Sequence, residues 1–455
     1  MKRLKLLVPL FLVMLAVLCF APAAWAFCGF YVAKADTKLY NKASQVVLAR
    51  DGDRTVLTMA NDYQGEVKDF AMVVPVPTVI KKEQVRVAEP KIIERLDAFS
   101  APRLVEYFDS NPCAVEDFSL QALPAPSAAV NESGVARRRG DRNLGVTVEA
   151  RFNVGEYDIV VLSAKESGGL ETWLNRNGYK IPRGAKQLLK PYIRSSMKFF
   201  VAKVNLDKFE QSGYQFLRPL QIAYKSSKFM LPIRLGMINA TTEQDLIVYV
   251  LSPKGQAEIT NYRTVKIPSN ANIPLFVKEE FGDFYKSTFQ TAYTKEGKKV
   301  AFLEYAWDMG SCDPCSGDPL TPDELKQAGV FWLDRDASSP VSPSFRRFPV
   351  SNVFISRLHV RYTRDKFPED LMFQETSNRE SFQGRYVLQH PFTGEATCQA
   401  GREYKRSLSR RFEQEAQTLA KLTNWNIKDI RQKMKLTVSN LTLPWWENFF
   451  SWLRL

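Results

Sequence analysis

The stretch DGDRTVLTMANDYQGEVKDFAMVV, residues 51–74, decides the fold class of this chain. It holds two short apolar or alternating runs, 55–59 and 70–74, bounded by polar turn signals at Asp51-Gly52-Asp53 and Gln64-Gly65. Runs of this kind between turn residues predict β-strands in a hairpin-like layout. Pro75 and Pro77 follow directly, and we expect them to end the second strand because proline cannot donate to a central ladder.

Helical patterns are inserted between further strands and appended after them. A helix is predicted from Pro90, with Ile92, Ile93, Leu96 and Phe99 on one face. Shorter helices are predicted near 170–175 and 185–192, and the last 55 residues turn helical. Strand-like runs recur at 146–152, 157–163, 198–204, 246–251, 300–307 and 353–362. This order predicts an α+β fold: a strand-rich body with inserted helices and a helical C-terminal segment.

The composition is that of a globular protein. The chain has 455 residues, 45% hydrophobic and 25% charged, which excludes collagen-like and wholly disordered classes. We predict a signal peptide at 1–26, an N-terminal strand-rich unit at 27–120, a flexible linker or loop at 121–144, a central α+β region at 145–345, a basic strand-plus-helix region at 346–442 and an aromatic amphipathic tail at 443–455.

The N-terminus has the pattern of a secretory signal. Lys2, Arg3 and Lys5 precede the apolar run 6–20, and Ala24-Trp25-Ala26 offers a cleavage site. The alternative is an uncleaved membrane anchor, but an apolar run this short is below the roughly 20 residues of a spanning helix. We therefore expect an exported protein, in the periplasm or at the cell surface or peripheral to a membrane, with no spanning helix after signal removal.

Export makes the cysteines of the mature chain disulfide candidates. Five is an odd number, so one thiol is left over or pairs with another chain. Sequence does not fix the connectivity, and our hypothesis for one bridge is Cys28 with Cys113, which enclose a compact strand-and-helix unit. The candidates are Cys28, Cys113, Cys312, Cys315 and Cys398.

The pair Cys312-Asp313-Pro314-Cys315 lies between a strand-like run and a helix predicted near Pro322. Thiol oxidoreductases place a Cys-x-x-Cys pair at a helix start, which lowers the thiol pKa. Here residues 317–321 separate the pair from its helix, so we favour a structural staple, which could include a bridge from one of the pair to Cys398. A zinc site of these three cysteines and a histidine is the weaker alternative. We predict no metal and no cofactor.

No catalytic residue is predicted. The chain has two histidines, His359 and His390. His359 alternates in phase with Arg357 and Arg361, which predicts a polar strand face where the arginines disfavour a cationic imidazole. Glu304 and Asp308 are candidates for carboxylate chemistry only in the loose sense that two acids could meet in space.

The positive charge of the chain is concentrated in its last third. Residues 346–455 carry 19 basic and 11 acidic residues, net +8, of the +14 of the whole sequence. For an exported protein this predicts an anionic envelope lipid or polymer, or an envelope protein, as partner; no nucleic acid is expected.

The last eleven residues predict an amphipathic helix that begins after Pro444. Aromatic-rich amphipathic helices lie in the head-group region of membranes. Three interpretations stay open: packing on the body of the protein, contact with a membrane, and contact with a partner protein. The apolar face consists of Trp445, Trp446, Phe449, Phe450, Trp452 and Leu453.

Several motifs resemble those of one bacterial exported family, the domain-of-unknown-function family numbered 2330. Their order and spacing cover the chain from about Cys28 to Leu333. The resemblance implies an exported protein of unassigned activity and transfers no catalytic residue. The matching motifs are Cys28-Gly29-Phe30, Tyr63-Gln64-Gly65, Asp69-Phe70, Val74-Pro75-Val76-Pro77, Trp173-Leu174, Asn177-Gly178-Tyr179 and Cys312-Asp313-Pro314-Cys315.

Two hypotheses of function follow from the sequence. The first is a non-catalytic, disulfide-stapled binding or scaffold protein of the cell envelope. The alternative is an envelope enzyme, either a thiol-disulfide oxidoreductase that uses Cys312 and Cys315 or an unassigned hydrolase.

Overall fold

The computed structural model describes residues 30–33, 40–41, 44–60, 63–64, 70–114, 145–177, 184–214, 217–238, 243–311, 313, 318–333 and 352–441. The predicted signal peptide, the linker at 121–144, Cys28, Cys312, Cys315 and the aromatic tail at 443–455 lie outside the described residues.

The strands in chain order are β1 (Phe30–Ala33), β2 (Tyr40–Asn41), β3 (Ser44–Asp51), β4 (Arg54–Ala60), β5 (Tyr63–Gln64), β6 (Phe70–Val76), β7 (Val85–Val87), β8 (Arg103–Phe108), β9 (Val146–Val154), β10 (Tyr157–Ala164), β11 (Lys198–Val204), β12 (Leu220–Lys225), β13 (Met230–Leu231), β14 (Gln244–Ser252), β15 (Ala257–Ile259), β16 (Arg263–Lys266), β17 (Ala271–Asn272), β18 (Val300–Asp308), β19 (Phe354–Tyr362), β20 (Leu371–Glu375), β21 (Phe382–Gln383) and β22 (Arg385–His390). The α-helices are α1 (Pro90–Ser100), α2 (Ser167–Arg176), α3 (Ala185–Arg194), α4 (Leu206–Ser212), α5 (Phe281–Lys295), α6 (Pro322–Gln327), α7 (Gln399–Thr423) and α8 (Ile427–Leu441).

Two large sheets form the body. The nine-stranded sheet runs β16-β18-β19-β14-β3-β4-β12-β7, with β21 paired to β18, and it is mixed because β3 runs parallel to β14 and β16 parallel to β18. The five-stranded sheet runs β1-β6-β11-β10-β9 and is antiparallel. With helices set between and after these strands, the fold is α+β and ends in a helical segment, which confirms the predicted class.

The two sheets pack face to face. Alternate residues of β3, such as Val46 and Leu48, share one buried apolar core with Val74 of β6 and Phe200 of β11. The residues between them, such as Val47, point to the other face of the nine-stranded sheet. Period-two alternation therefore gives each sheet two buried faces, one toward the partner sheet and one toward helices.

Helices cover the outer faces. The four apolar residues predicted for α1 are all buried, at 3% exposure or less, against the nine-stranded sheet. Helices α2 and α3 cover the five-stranded sheet. Helix α5 packs on β18, and α7 and α8 pack with it and with β22.

β4 forms a hairpin as the sequence predicts, but it pairs with the strand before it, β3, and not with the predicted strand after it, β6. β4 pairs with β3 across a two-residue turn at Gly52, whose φ is +58°, whereas β6 belongs to the other sheet. The tight turn therefore lies before β4, not between β4 and β6.

The strand ends directly before Pro77 as expected, but the prediction that Pro75 ends it is wrong. β6 extends through Pro75 to Val76. Pro75 lies opposite Phe199 of β11, beyond the last residue that β6 pairs with β1, so within the described residues no second neighbouring strand needs its missing N–H.

Candidate functional site

A row of ionised side chains lies under α1 and α5, on the outer face of the nine-stranded sheet. Alternation along β19 directs Arg357, His359 and Arg361 to this face. The acids come from elsewhere, Asp97 from α1 and Asp245 from β14. We call this set the charge ladder, and its six members are Asp97, Arg357, Glu304, His359, Asp245 and Arg361.

A β-bulge places Glu304 in the ladder. In the pairing of β18 with β19, Leu303 lies opposite Leu358 and Tyr305 lies opposite Arg357, so Glu304 is an extra residue. Bulges re-aim side chains and recur next to functional sites. Here the bulge brings the fully buried Glu304 carboxylate against the basic side chains of β19.

The ladder is continuous from one end to the other. His359 Nδ1 lies 2.7 Å from Glu304 Oε1, and its Nε2 lies 3.2 Å from Asp245 Oδ1. Arg357 donates to Glu304 at 2.7 Å and to Asp97 at 2.6 Å. Arg361 donates to both oxygens of Asp245, at 2.7 and 2.8 Å. Three cationic side chains thus meet three carboxylates.

Mutual pairing overcomes the cost of burial. Burial raises the pKa of the Glu304 carboxyl, but His359 and Arg357 outweigh it and the pKa falls to about 2. Burial lowers the pKa of the His359 imidazole, but Glu304 and Asp245 outweigh it and raise that pKa to about 9. Burial likewise opposes ionisation of Asp245, whose pKa is nevertheless held well below its usual range by His359 and Arg361. His359 is therefore cationic at neutral pH.

The prediction for His359 was half wrong. It does share a face with Arg357 and Arg361, but it is only 8% exposed and its imidazole is cationic. The arginines do not disfavour its charge because each is paired with a carboxylate from another strand or helix. Those carboxylates lie tens to hundreds of residues away in the chain, so local alternation could not show them.

Aromatic rings of α5 pack against the charge ladder and cover it on that side. The Phe289 ring stacks on the His359 ring at 3.9 Å between centroids, and the Arg361 guanidinium lies 4.8 Å from the same ring centre. The Tyr285 hydroxyl donates to Glu304. With both imidazole nitrogens occupied and a ring on its face, His359 has no free lone pair for a substrate proton, and the arrangement serves to hold β14, β18 and β19 to α1 and α5.

The other loosely predicted acid lies outside the ladder. Asp308 accepts from Arg379 at 2.6 Å and from the Gly310 N–H at 2.9 Å, near the protein surface. His390 lies on β22 and faces Glu106 at 2.8 Å. Glu304 and Asp308, and likewise the two histidines, therefore belong to separate environments.

The described residues contain no group of three or more histidine, cysteine, aspartate or glutamate side chains that could hold a metal ion. In the charge ladder, Glu304 contacts Nδ1 of His359 and Asp245 contacts Nε2. These three side chains therefore do not converge on one point where a metal ion could be bound. The structure does not test the alternative of a zinc site formed by three cysteines and a histidine, because Cys312 and Cys315 lie outside the described residues. Cys398 is disulfide-bonded to Cys113, so it is neither a zinc ligand nor the partner of Cys312 or Cys315 that the sequence suggested.

That disulfide joins Cys113 to Cys398, with 5.9 Å between their Cα atoms and a sequence separation of 285. It corrects the hypothesis that Cys113 pairs with Cys28. The reason is the parallel pairing of β8 with β22, which aligns Phe108 with His390 and carries the following segments side by side. The Cys398 sulfur also accepts from the Gly401 N–H at 3.2 Å, at the start of α7.

A polar junction continues from the disulfide along α7. The Asp109 carboxylate accepts from Gln389 at 2.6 Å, from Arg411 at 2.6 Å and from the Tyr404 hydroxyl. Arg411 also lies 3.6 Å from Glu415, which is 3% exposed. Disulfide and junction together fasten the N-terminal half of α7 to the end of β8.

A polar groove of about 590 Å³ lies beside β15 and β16. Its Lys266 and Arg263 side chains are paired with Glu380 and Glu296. Its described lining contains no histidine or cysteine, so it does not point to a particular chemistry.

A family model described as an uncharacterized protein conserved in bacteria (DUF2330) matches residues 22–374, more than three quarters of the chain. No curated protein and no solved structure matches. Among the described helices, none is both long enough and apolar enough to cross a membrane.

Proposed function

Since the chain belongs to this bacterial family of uncharacterised proteins, DUF2330, we propose that it is an exported, non-catalytic binding or scaffold protein of the cell envelope, stapled by a disulfide. Its expected place is the periplasm or the cell surface, where it would be peripheral to a membrane. The predicted signal peptide at 1–26 supports export.

The Cys113–Cys398 bridge is the observation that carries this proposal. It closes a loop that spans most of the chain and fixes the C-terminal helices to the strand-rich body. Disulfides persist in oxidising compartments and are rare in the bacterial cytoplasm. A bridge that ties together such distant segments favours a protein that folds after export.

The charge ladder supports the non-catalytic part of the proposal. Its three cationic side chains and its three carboxylates pair with one another. Perturbed pKa values in such a network are as typical of structural ion pairs as of active sites. The alternative stays an envelope enzyme, either one that uses Cys312 and Cys315, which lie outside the described residues, or an unassigned hydrolase.

The experiment is thiol trapping before lysis, on the full chain expressed with its own N-terminus in a bacterial host. After cell fractionation we expect the protein outside the cytosolic fraction and without residues 1–26. We also expect Cys113 and Cys398 to resist alkylation until a reductant is added. The matched control is Cys113→Ser, which should make Cys398 alkylatable. An uncleaved chain in the cytosolic fraction with alkylated Cys113 and Cys398 would contradict the proposal.

A further inference from the structure

The outer face of α7 presents a row of positive charges. Arg402, Arg406 and Arg410 recur at every fourth residue and are exposed, and Lys405 is exposed beside them. Further along the helix, Ala416 and Leu419 are buried against the body. We call Arg402, Lys405, Arg406 and Arg410 the α7 basic face.

The charge of the α7 basic face is not neutralised by any carboxylate of the described residues. Within the described part of the chain, no carboxylate forms an ion pair with any of its four side chains; Arg402 donates to the Thr397 carbonyl. Some other cations of the C-terminal helices are paired, for example Arg431 with Glu413 and Lys433 with Glu280. The first half of α7 therefore carries four exposed positive charges that no described carboxylate pairs with.

An exposed aromatic ring lies next to the segment that anchors α7. Phe108 is 73% exposed, and its ring stacks on that of His390 at 4.4 Å between centroids. The residue after it, Asp109, accepts hydrogen bonds from Tyr404 and Arg411 of α7. The Cys113–Cys398 disulfide links the start of α7 to the segment that follows Phe108 and Asp109.

We propose that the α7 basic face, with Phe108, binds the surface of an anionic phospholipid bilayer. This inference rests on the proposed envelope function and names its partner. Unpaired arginine and lysine side chains complement acidic lipid head groups. An exposed aromatic ring gains by entering the interfacial layer of a bilayer, a gain that a soluble acidic polymer cannot offer.

The test uses the mature, oxidised full chain and sedimentation with vesicles of phosphatidylcholine, with and without phosphatidylglycerol. Binding should require phosphatidylglycerol and weaken as salt is added. Replacing Arg402, Arg406 and Arg410 with Gln should lower the affinity about 100-fold, since each cation near an anionic surface contributes roughly a factor of five. Phe108→Ser should lower the affinity about tenfold.

A matched control exists in the same chain. Helix α3 carries Lys186, Lys190 and Arg194, exposed and at the same spacing. Replacing these three with Gln removes the same charge and should leave vesicle binding within about twofold of the parent. Replacing the three α7 arginines with Lys keeps the charge and should preserve binding, which separates charge from any effect on folding.

The proposal is overturned if the α7 Gln variant binds like the parent, if the α3 variant loses as much as the α7 variant, or if pure phosphatidylcholine vesicles bind equally. It is also overturned if the protein binds soluble polyphosphate but no vesicle. If the chain is exported and oxidised but does not bind vesicles, only this inference is contradicted. If the chain stays reduced in the cytosol, the proposed function is contradicted, even if the purified oxidised protein binds vesicles.

Discussion

His359 shows at the scale of one residue how burial and charge combine. Its ring nitrogens face Glu304 and Asp245, and its ring face is covered by Phe289. A buried, unpaired imidazole would be neutral, whereas this one is a cation that neutralises two acids. Replacing His359 would leave two buried carboxylates with one hydrogen-bond partner fewer. Because only the cationic imidazole pairs with both of them, the contribution of His359 to stability depends on pH.

The first prediction concerns that pH dependence. The folded pKa of His359 is about 9 against an ordinary 6.5, so its stabilisation is complete below about pH 6.5 and is lost as the pH rises through 9. Glu304, with a folded pKa of about 2 against 4.5, contributes in full above about pH 4.5 and loses its contribution as the pH falls through 2. Both act in full between about pH 4.5 and 6.5.

Urea unfolding of the parent and of His359→Gln checks this prediction. The variant should be less stable by about 3 kcal/mol near pH 6, and the difference should shrink toward pH 9.5. His390→Gln is the control, because that histidine lies at the surface beside Glu106 and should change stability by less than about 1 kcal/mol. A difference for His359→Gln that stays constant from pH 6 to 9.5 would contradict a cationic His359.

Glu415 gives the second prediction at this scale. Burial raises the pKa of its carboxyl to about 7, with Arg411 opposing and Asp109 adding to the rise. Such a group costs stability when ionised, and that cost appears as the pH rises from 4.5 through 7. Glu415→Gln should therefore stabilise the protein at pH 8, by on the order of 1–2 kcal/mol, and change little at pH 5.

A neighbour on the same helix controls for the loss of charge. Glu413 is paired with Arg431 at the surface, at 2.5 Å, so Glu413→Gln should be neutral or slightly destabilising at pH 8. Thermal melting of both variants at the two pH values distinguishes them. If Glu415→Gln lowers the melting temperature at pH 8, the carboxylate is a useful partner of Arg411 instead of an unfavourable buried charge.

At the scale of elements, the disulfide holds α7 to β8. The loop that it closes is long, so the bridge restricts the unfolded chain strongly. Replacing Cys113 and Cys398 with Ser should destabilise the protein by about 2–5 kcal/mol. Guanidinium unfolding with and without reductant measures this loss: reductant should lower the stability of the parent by at least the loss seen in the variant, and it should change the variant less. A parent that is insensitive to reductant would contradict a stabilising bridge.

Local patterns predict elements well and partners poorly in this chain. The period of 3.6 in α1 correctly identified four buried residues, and the runs at 198–204 and 246–251 are strands. The parallel pairing of β3 with β14, the bulge at Glu304 and the bond from Cys113 to Cys398 join residues that are far apart in sequence. No window of sequence contains both partners, so the charge ladder and the disulfide could not be derived locally.

At the scale of the whole molecule, the proposed bilayer contact and the predicted aromatic tail would make separable contributions to membrane binding. The α7 basic face would act through charge and therefore be sensitive to salt, whereas the proposed tail contact would act through apolar burial and be less so. Two weak contacts in one chain strengthen each other when both reach the same surface. Removing either should weaken membrane binding without removing it entirely.

The last prediction tests the tail with this contrast. A chain that ends at Pro444 lacks Trp445, Trp446 and Trp452, so we expect it to bind phosphatidylglycerol vesicles more weakly, by about tenfold or more. The binding that remains should weaken strongly at high salt, because the charge of the α7 basic face would supply most of it. Its melting temperature should equal that of the full chain. A lowered melting temperature would show instead that the tail packs on the body of the protein, and the membrane contact would then have to rest on α7 and Phe108 alone.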